Sequence, residues 1–254
     1  MNKIKSTNKP DRVKKVQSFL TDSVNDYIAA RVLFLSNLPQ QAVILSSTSI
    51  EKCFKAILAF NGNESRGHLK KAHWNAVKNF DRELYDSLNP DFLELNKKVY
   101  SLRYTDDLPT GYNVVIASRE FLAELDQTIL SISRLFQFGE RDESYRLSKL
   151  DHLISSYDQR VYEENHVLSG EPKEHFIYKK SQFVYELRNH MGGNLFEVTY
   201  SSEGKPENPS FLRPGFTPSK ESAQSFKLSF GRTENAQGEP IIPPAMRDKA
   251  AHRR

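Results

Sequence analysis

The residues whose chemistry suggests a function lie in the first half of the chain. Glu51, Lys52 and Lys55 sit in the run SSTSIEKCFKAILAFNG, His68 follows in Gly67-His68-Leu69, and Leu102-Arg103-Tyr104-Thr105-Asp106-Asp107 comes later. Glu51 and Lys55 are four apart with the acid first, on a helix a favourable pair worth about 0.2–0.5 kcal/mol. The same residues suit phosphate chemistry, a lysine reaching a phosphate oxygen while the carboxylate orients it or a nearby arginine. Arg103 is the stronger candidate, because a guanidinium grips phosphate through two parallel hydrogen bonds. Its plainer use is to close a helix C-terminus, where the dipole favours a cation. Tyr104 offers a ring to stack on a base or to fill the end of a bundle. Asp106 suits a salt bridge to Arg103 or a loop cap, since no second carboxylate is spaced to work with it. His68 suits a hydrogen bond across a bundle end or a contact with ligand phosphate.

The elements that must position these residues are mostly helices. Leu20, Val24, Tyr27, Ile28, Arg31 and Leu35 recur at three- and four-residue steps, one helical face ending near Asn37. Pro39 opens the next helix, whose stripe of Val43, Ile50, Phe54 and Ile57 runs to the stop Asn61-Gly62. Weaker helical signal covers residues 68–88. Phe92, Leu95, Val99 and Leu102 mark a helix entered through Asn89-Pro90, and Leu122, Leu125, Ile129, Ile132 and Phe136 mark a long closing one. Leu147, Leu150, Ile154, Tyr157 and Val161 read as one further amphipathic helix. After Gly170 the pattern shortens to β-like runs: His175 to Leu187, ambiguous with helix, then Leu195 to Tyr200 and Phe226 to Phe230.

The expected organisation is a flexible basic arm over residues 1–16, a helical bundle over 17–138, an added helix and linker over 139–170, a small β-containing region over 171–231 and a disordered tail over 232–254. The fold class is mainly α: an up-and-down bundle of four or five helices with a smaller C-terminal α+β region.

Composition narrows the function. The 254 residues carry a net charge of +4, and the first fifteen alone hold six basic groups against Asp11. Such an arm can touch nucleic acid, although a solvated terminus is the commoner use. No apolar run reaches the roughly 18 residues of a membrane span, and no apolar signal core follows the basic start, so a cytoplasmic protein is expected. A single cysteine, Cys53, excludes an internal disulfide framework and reads as a packed, inert thiol. His166, His175 and His190 lack the spacing of a metal site. No metal and no cofactor are expected.

The segment EKxxKAxL ending in Gly, the downstream His-Leu and the Arg-Tyr-x-Asp loop before the closing helix together resemble the HEPN domain family over about residues 17–138. That resemblance implies a helical bundle, often dimeric. It implies one of two activities: metal-independent ribonucleases with four to six residues between an arginine and a following histidine, or binding of nucleotides and pairing with a nucleotidyltransferase. Here positions 108–110, after Arg103, are Leu-Pro-Thr. Arg66/His73, Arg146/His152, Arg160/His166 and Arg247/His252 meet the loose spacing, but about one match is expected from composition by chance. The expectation is therefore a nucleotide- or RNA-phosphate-binding accessory module, in a bacterial defence, toxin–antitoxin or nucleotidyltransferase-linked system, with Lys52, Lys55, His68 and Arg103 lining one cleft. Its partners would be nucleotide or RNA, a second copy in a homodimer, and a protein docked on the C-terminal region, with no membrane. Two rivals stand beside it: a metal-independent ribonuclease with a divergent site, and an interaction scaffold. The scaffold reading expects a chain cut after residue 138 to remain a folded helical dimer.

Overall fold

The structure is a computed structural model and describes residues 5–7, 9–140, 145–146, 148–190, 194–203, 207–212 and 226–230. Among these, ten α-helices dominate: α1 (Pro10–Leu35), α2 (Pro39–Phe60), α3 (Lys71–Phe80), α4 (Arg82–Ser87), α5 (Pro90–Val99), α6 (Ser118–Ser133), α7 (Lys149–Ser155), α8 (Gln159–Tyr162), α9 (His166–Ser169) and α10 (Lys173–Tyr178). The strands are β1 (Lys5–Thr7), β2 (Asn113–Ala117), β3 (Gln137–Glu140), β4 (Tyr145–Arg146), β5 (Gln182–Asn189), β6 (Leu195–Ser202) and β7 (Phe226–Phe230). They form an antiparallel sheet of order β2-β5-β6 and a mixed sheet of order β1-β7-β3-β4. The protein is mainly helical, as its periodicity predicts.

Helix ends fall where local chemistry puts them. Proline occupies the first turn of α1, α2 and α5, where its missing N–H has no helical partner to lose. The Asn89 side chain accepts from the N–H groups of Asp91 and Phe92 and so caps α5. Between α1 and α2, Asn37 adopts φ 57°, a left-handed turn that asparagine tolerates. Small residues then let the two helices approach closely. Ser23 donates to the Ser49 carbonyl at 2.8 Å, and Ala30 and Ala42 are fully buried. Cys53, also fully buried, has its thiol pushed up to about 12 by that burial, so it packs as an inert side chain. Phe60, Phe80 and Phe136 meet ring to ring at 5.4–6.2 Å and close the lower core.

Four features depart from the sequence reading. The first helix starts at Pro10, inside the stretch expected as a flexible arm, because Val13 and Val16 extend the buried stripe by two turns. The loop before α6 contains β2, whose β-branched core Val114-Val115-Ile116 pairs with β5 from far along the chain. The helix expected through residues 147–161 breaks into α7 and α8 at Tyr157, which takes φ 53°. The ambiguous run from His175 to Leu187 is helix up to Tyr178 and strand from Gln182. The tail over 232–254 lies outside the described residues.

Helix α6 is the axis of the molecule. It is buried on nearly every side, including Glu120, Glu124 and Asp126. Its buried acids are satisfied by residues from other elements. Lys173 donates to Glu124 at 2.6 Å. Arg31 from α1 donates to Asp126, to the Glu163 carbonyl, and through Nε to the Arg160 carbonyl at 3.0 Å, with Arg31 and Asp126 both fully enclosed. Tyr27 donates to Asp126 at 2.8 Å, and the Asn165 amide reaches the Tyr27 hydroxyl at 3.2 Å. Residues 149–178 therefore seal one side of the bundle. No helix among the described residues is long and apolar enough to cross a membrane.

Candidate functional site

Helix α2 sets Ser47, Glu51 and Lys55 on one face at successive turns. Glu51 uses both carboxylate oxygens there, one pairing with Lys55 and the other with Nδ1 of His68. His68 arrives from the loop after α2, where Gly67 at φ 91° and Leu69 at φ 29° turn the chain back. Its Nε2 lies 2.8 Å from Ser47 Oγ, and Ser47 gives its own proton to the Asn96 carbonyl at 2.6 Å. Both ring nitrogens of His68 thus face side-chain oxygens, and the ring is held between α2 and its loop.

A third element completes the cluster. Tyr100, at the start of the 3-10 turn Tyr100–Arg103, stacks on His68 with ring centroids 3.5 Å apart and planes 12° from parallel. Arg103 lies three residues on. Its guanidinium sits 5.0 Å from the centre of the Tyr100 ring and donates to the Tyr100 hydroxyl at 2.7 Å. His73, fully buried, accepts the Lys70 N–H through Nδ1 at 2.8 Å, which leaves the proton on Nε2 with no partner among the described residues. Burial holds the His73 pKa below its ordinary value, against the opposing pull of Glu51. Burial raises the Glu51 carboxyl, but hydrogen bonds with His68 and Lys55 outweigh it and leave Glu51 below the usual carboxylate range.

Of the residues singled out from sequence, Glu51, Lys55, His68 and Arg103 join one connected patch. Lys52 does not. It faces α1 and pairs with Asp26 at 2.7 Å, where Thr48 also donates at 2.7 Å. Tyr104 is 61% exposed beside Arg103, and Asp106 is exposed in the turn Thr105–Asp107 with no ion pair to Arg103 among the described residues. In place of the expected cleft stands one connected cluster with a different membership, partly buried except at Arg103. Sequence reasoning passed over Ser47, Asn96 and Tyr100. The available signal was spacing alone: Ser47 stands one turn before Glu51, and Tyr100 one turn before Arg103.

Compared with protein-family models, with curated proteins and with solved structures, the chain matches none. The geometry has to carry the functional reading. A groove of about 690 Å³ lies along Leu95, Lys98, Ser101, Tyr112 and Phe211. Those α5 positions lie on the side of the helix away from the Asn96–Tyr100–Arg103 stripe, so the groove does not house the cluster. Among the described residues, no group of three His, Cys, Asp or Glu side chains is placed to share a metal ion.

Proposed function

We propose that the helical domain is a nucleotide- or RNA-phosphate-binding module of HEPN type, acting in the cytoplasm. One observation carries the reading. Lys52 and Lys55 are each neutralised by a carboxylate, whereas the exposed Arg103 guanidinium has no carboxylate partner among the described residues and is aimed by the Tyr100 hydroxyl. A planar cation held ready in this way suits bidentate phosphate binding. Tyr104, exposed beside it, offers a face for a base. Lys55 and His68 stand behind Arg103 as lesser contributors, because Glu51 already engages both. The accessory role in a defence, toxin–antitoxin or nucleotidyltransferase-linked system follows from the HEPN resemblance.

Calorimetric titration with nucleotides and short RNAs tests the reading. Binding is expected, and Arg103→Ala should weaken it about tenfold or more, the cost of removing a hydrogen bond to a charged group. A wild-type protein that binds neither nucleotide nor RNA overturns it.

The ribonuclease alternative draws on a separate observation. His68, aligned by Glu51, and Arg103 share the Tyr100 ring, so a proton-transfer group and a phosphate-binding cation meet without adjacency in sequence. Cleavage of labelled RNA in the presence of a chelator, lost in His68→Ala, would favour that alternative.

A further inference from the structure

Strand β6 is an edge strand with its side chains in solvent. Every residue from Leu195 to Ser201 is exposed. Leu195, Phe196, Val198 and Tyr200 are among the few large hydrophobic side chains exposed anywhere in the described structure. One edge of β6 bonds β5; the other has no strand partner among the described residues. The strand carries no lysine or proline of the kind that blunts an open edge.

The register fixes which backbone groups face outward. Asn189 donates its N–H to the Tyr112 carbonyl and accepts from the Gly111 N–H, so odd-numbered residues of β5 turn to β2 and even-numbered ones to β6. Their partners Phe196, Val198, Tyr200 and Ser202 use their backbone groups inward. Leu195, Glu197, Thr199 and Ser201 therefore present N–H and C=O to the open edge.

The strand sequence Leu-Phe-Glu-Val-Thr-Tyr-Ser is self-complementary about Val198. An antiparallel second copy centred there sets Leu195 opposite Ser201 and Glu197 opposite Thr199, all outward-facing and able to exchange hydrogen bonds. Phe196 then meets Tyr200 twice, and Val198 meets itself, at the closer non-hydrogen-bonded positions where side-chain pairs interact most. Moving the centre to Glu197 would set that carboxylate against its own copy. Moving it to Thr199 would leave Phe196 opposite Ser202. Of these three registers, only the one centred on Val198 both pairs the aromatics and keeps like charges apart.

We propose that β6 is a homodimer interface, two copies joining across a two-fold axis at Val198 into one six-stranded sheet. Sedimentation equilibrium of the full chain over a range of concentrations should show a monomer–dimer equilibrium. Val198→Lys puts two ammonium groups face to face. Thr199→Pro removes an outward N–H and leaves the β5 bonds intact. Each should weaken the dimer about tenfold or more, with an unchanged circular dichroism spectrum. Val198→Cys gives a register-specific check, since Cα atoms about 4.5 Å apart lie within disulfide reach. Mild oxidation should yield a covalent dimer for Val198→Cys and far less for Phe196→Cys. The native thiol at Cys53 is fully buried and does not confuse the readout. A wild type that stays monomeric at every concentration, as when another segment of the chain covers this edge, overturns the proposal. So does a dimer that both Val198→Lys and Thr199→Pro leave intact.

Discussion

Glu51 holds Lys55 and His68 with one carboxylate, and that makes its protonation matter for stability. Its pKa lies below 4.5 because His68 and Lys55 hydrogen-bond the charged form against the effect of burial. A carboxyl with a depressed folded pKa contributes stability that is complete above its unfolded value and is lost as pH falls through the folded one. The wild type should therefore lose this contribution only in acid, below about pH 4.5. Urea midpoints measured from about pH 6 down to 3 should fall more steeply for wild type than for Glu51→Gln. Parallel profiles would mean that the His68 and Lys55 contacts do not favour the charged carboxyl. The Glu51–Lys55 pair was legible in the sequence, because i,i+4 geometry is local. The Ser47–His68–Tyr100 contacts were not, because they depend on where a loop and a second helix fold back.

The least legible element was β2, and the tie beneath its sheet belongs to α6. Glu120, fully buried near the start of α6, accepts from the backbone N–H groups of Glu207 and Asn208 at 2.8 and 2.7 Å and from the Gln182 amide at 2.7 Å. One carboxylate thus fixes the start of β5 and the turn Pro209–Leu212, whose Phe211 packs edge-on against Phe92. Glu120→Ala would leave the buried Gln182 amide and the part-buried N–H groups of Glu207 and Asn208 without their acceptor, at a cost of about 2 kcal/mol. It should also free the 207–212 segment, read as faster amide exchange at Glu207 and Asn208. Unchanged exchange there would show that Phe211 alone anchors the segment. Read from sequence, Glu120 is one more acid on a helix. Nothing local marks it as buried, since its partners lie more than sixty residues on.

At the scale of the molecule, the bundle does not end at residue 138. Burial disfavours the Arg31 charge, yet Asp126 more than offsets this and raises the guanidinium pKa above its ordinary value. The Arg160 and Glu163 carbonyls complete its hydrogen bonds. A chain cut after residue 138 keeps the ion pair but loses those carbonyls, the Asn165 cover on Tyr27, and β5 beside β2. Leaving buried charges part-satisfied costs several kcal/mol, a large share of ordinary domain stability. The truncated chain should melt well below the full protein, in contrast to the scaffold reading's stable bundle. Equal melting temperatures would show that residues 139–254 only drape the surface.

The sequence by itself determined the course of the long helices, the proline starts at Pro39 and Pro90, the stop at Asn61-Gly62 and the strand runs at 195–200 and 226–230. Those signals are periodicity and capping, which act within a few residues. Only the tertiary structure decided that Lys52 turns to Asp26 while Lys55 joins His68, that β2 interrupts the helices, and that Arg31 reaches into the segment expected as a linker. Each of those outcomes is a choice among partners distant in the chain. Burial settles it through the cost of leaving a charge or a backbone group unpaired away from water, and a local pattern does not record that cost.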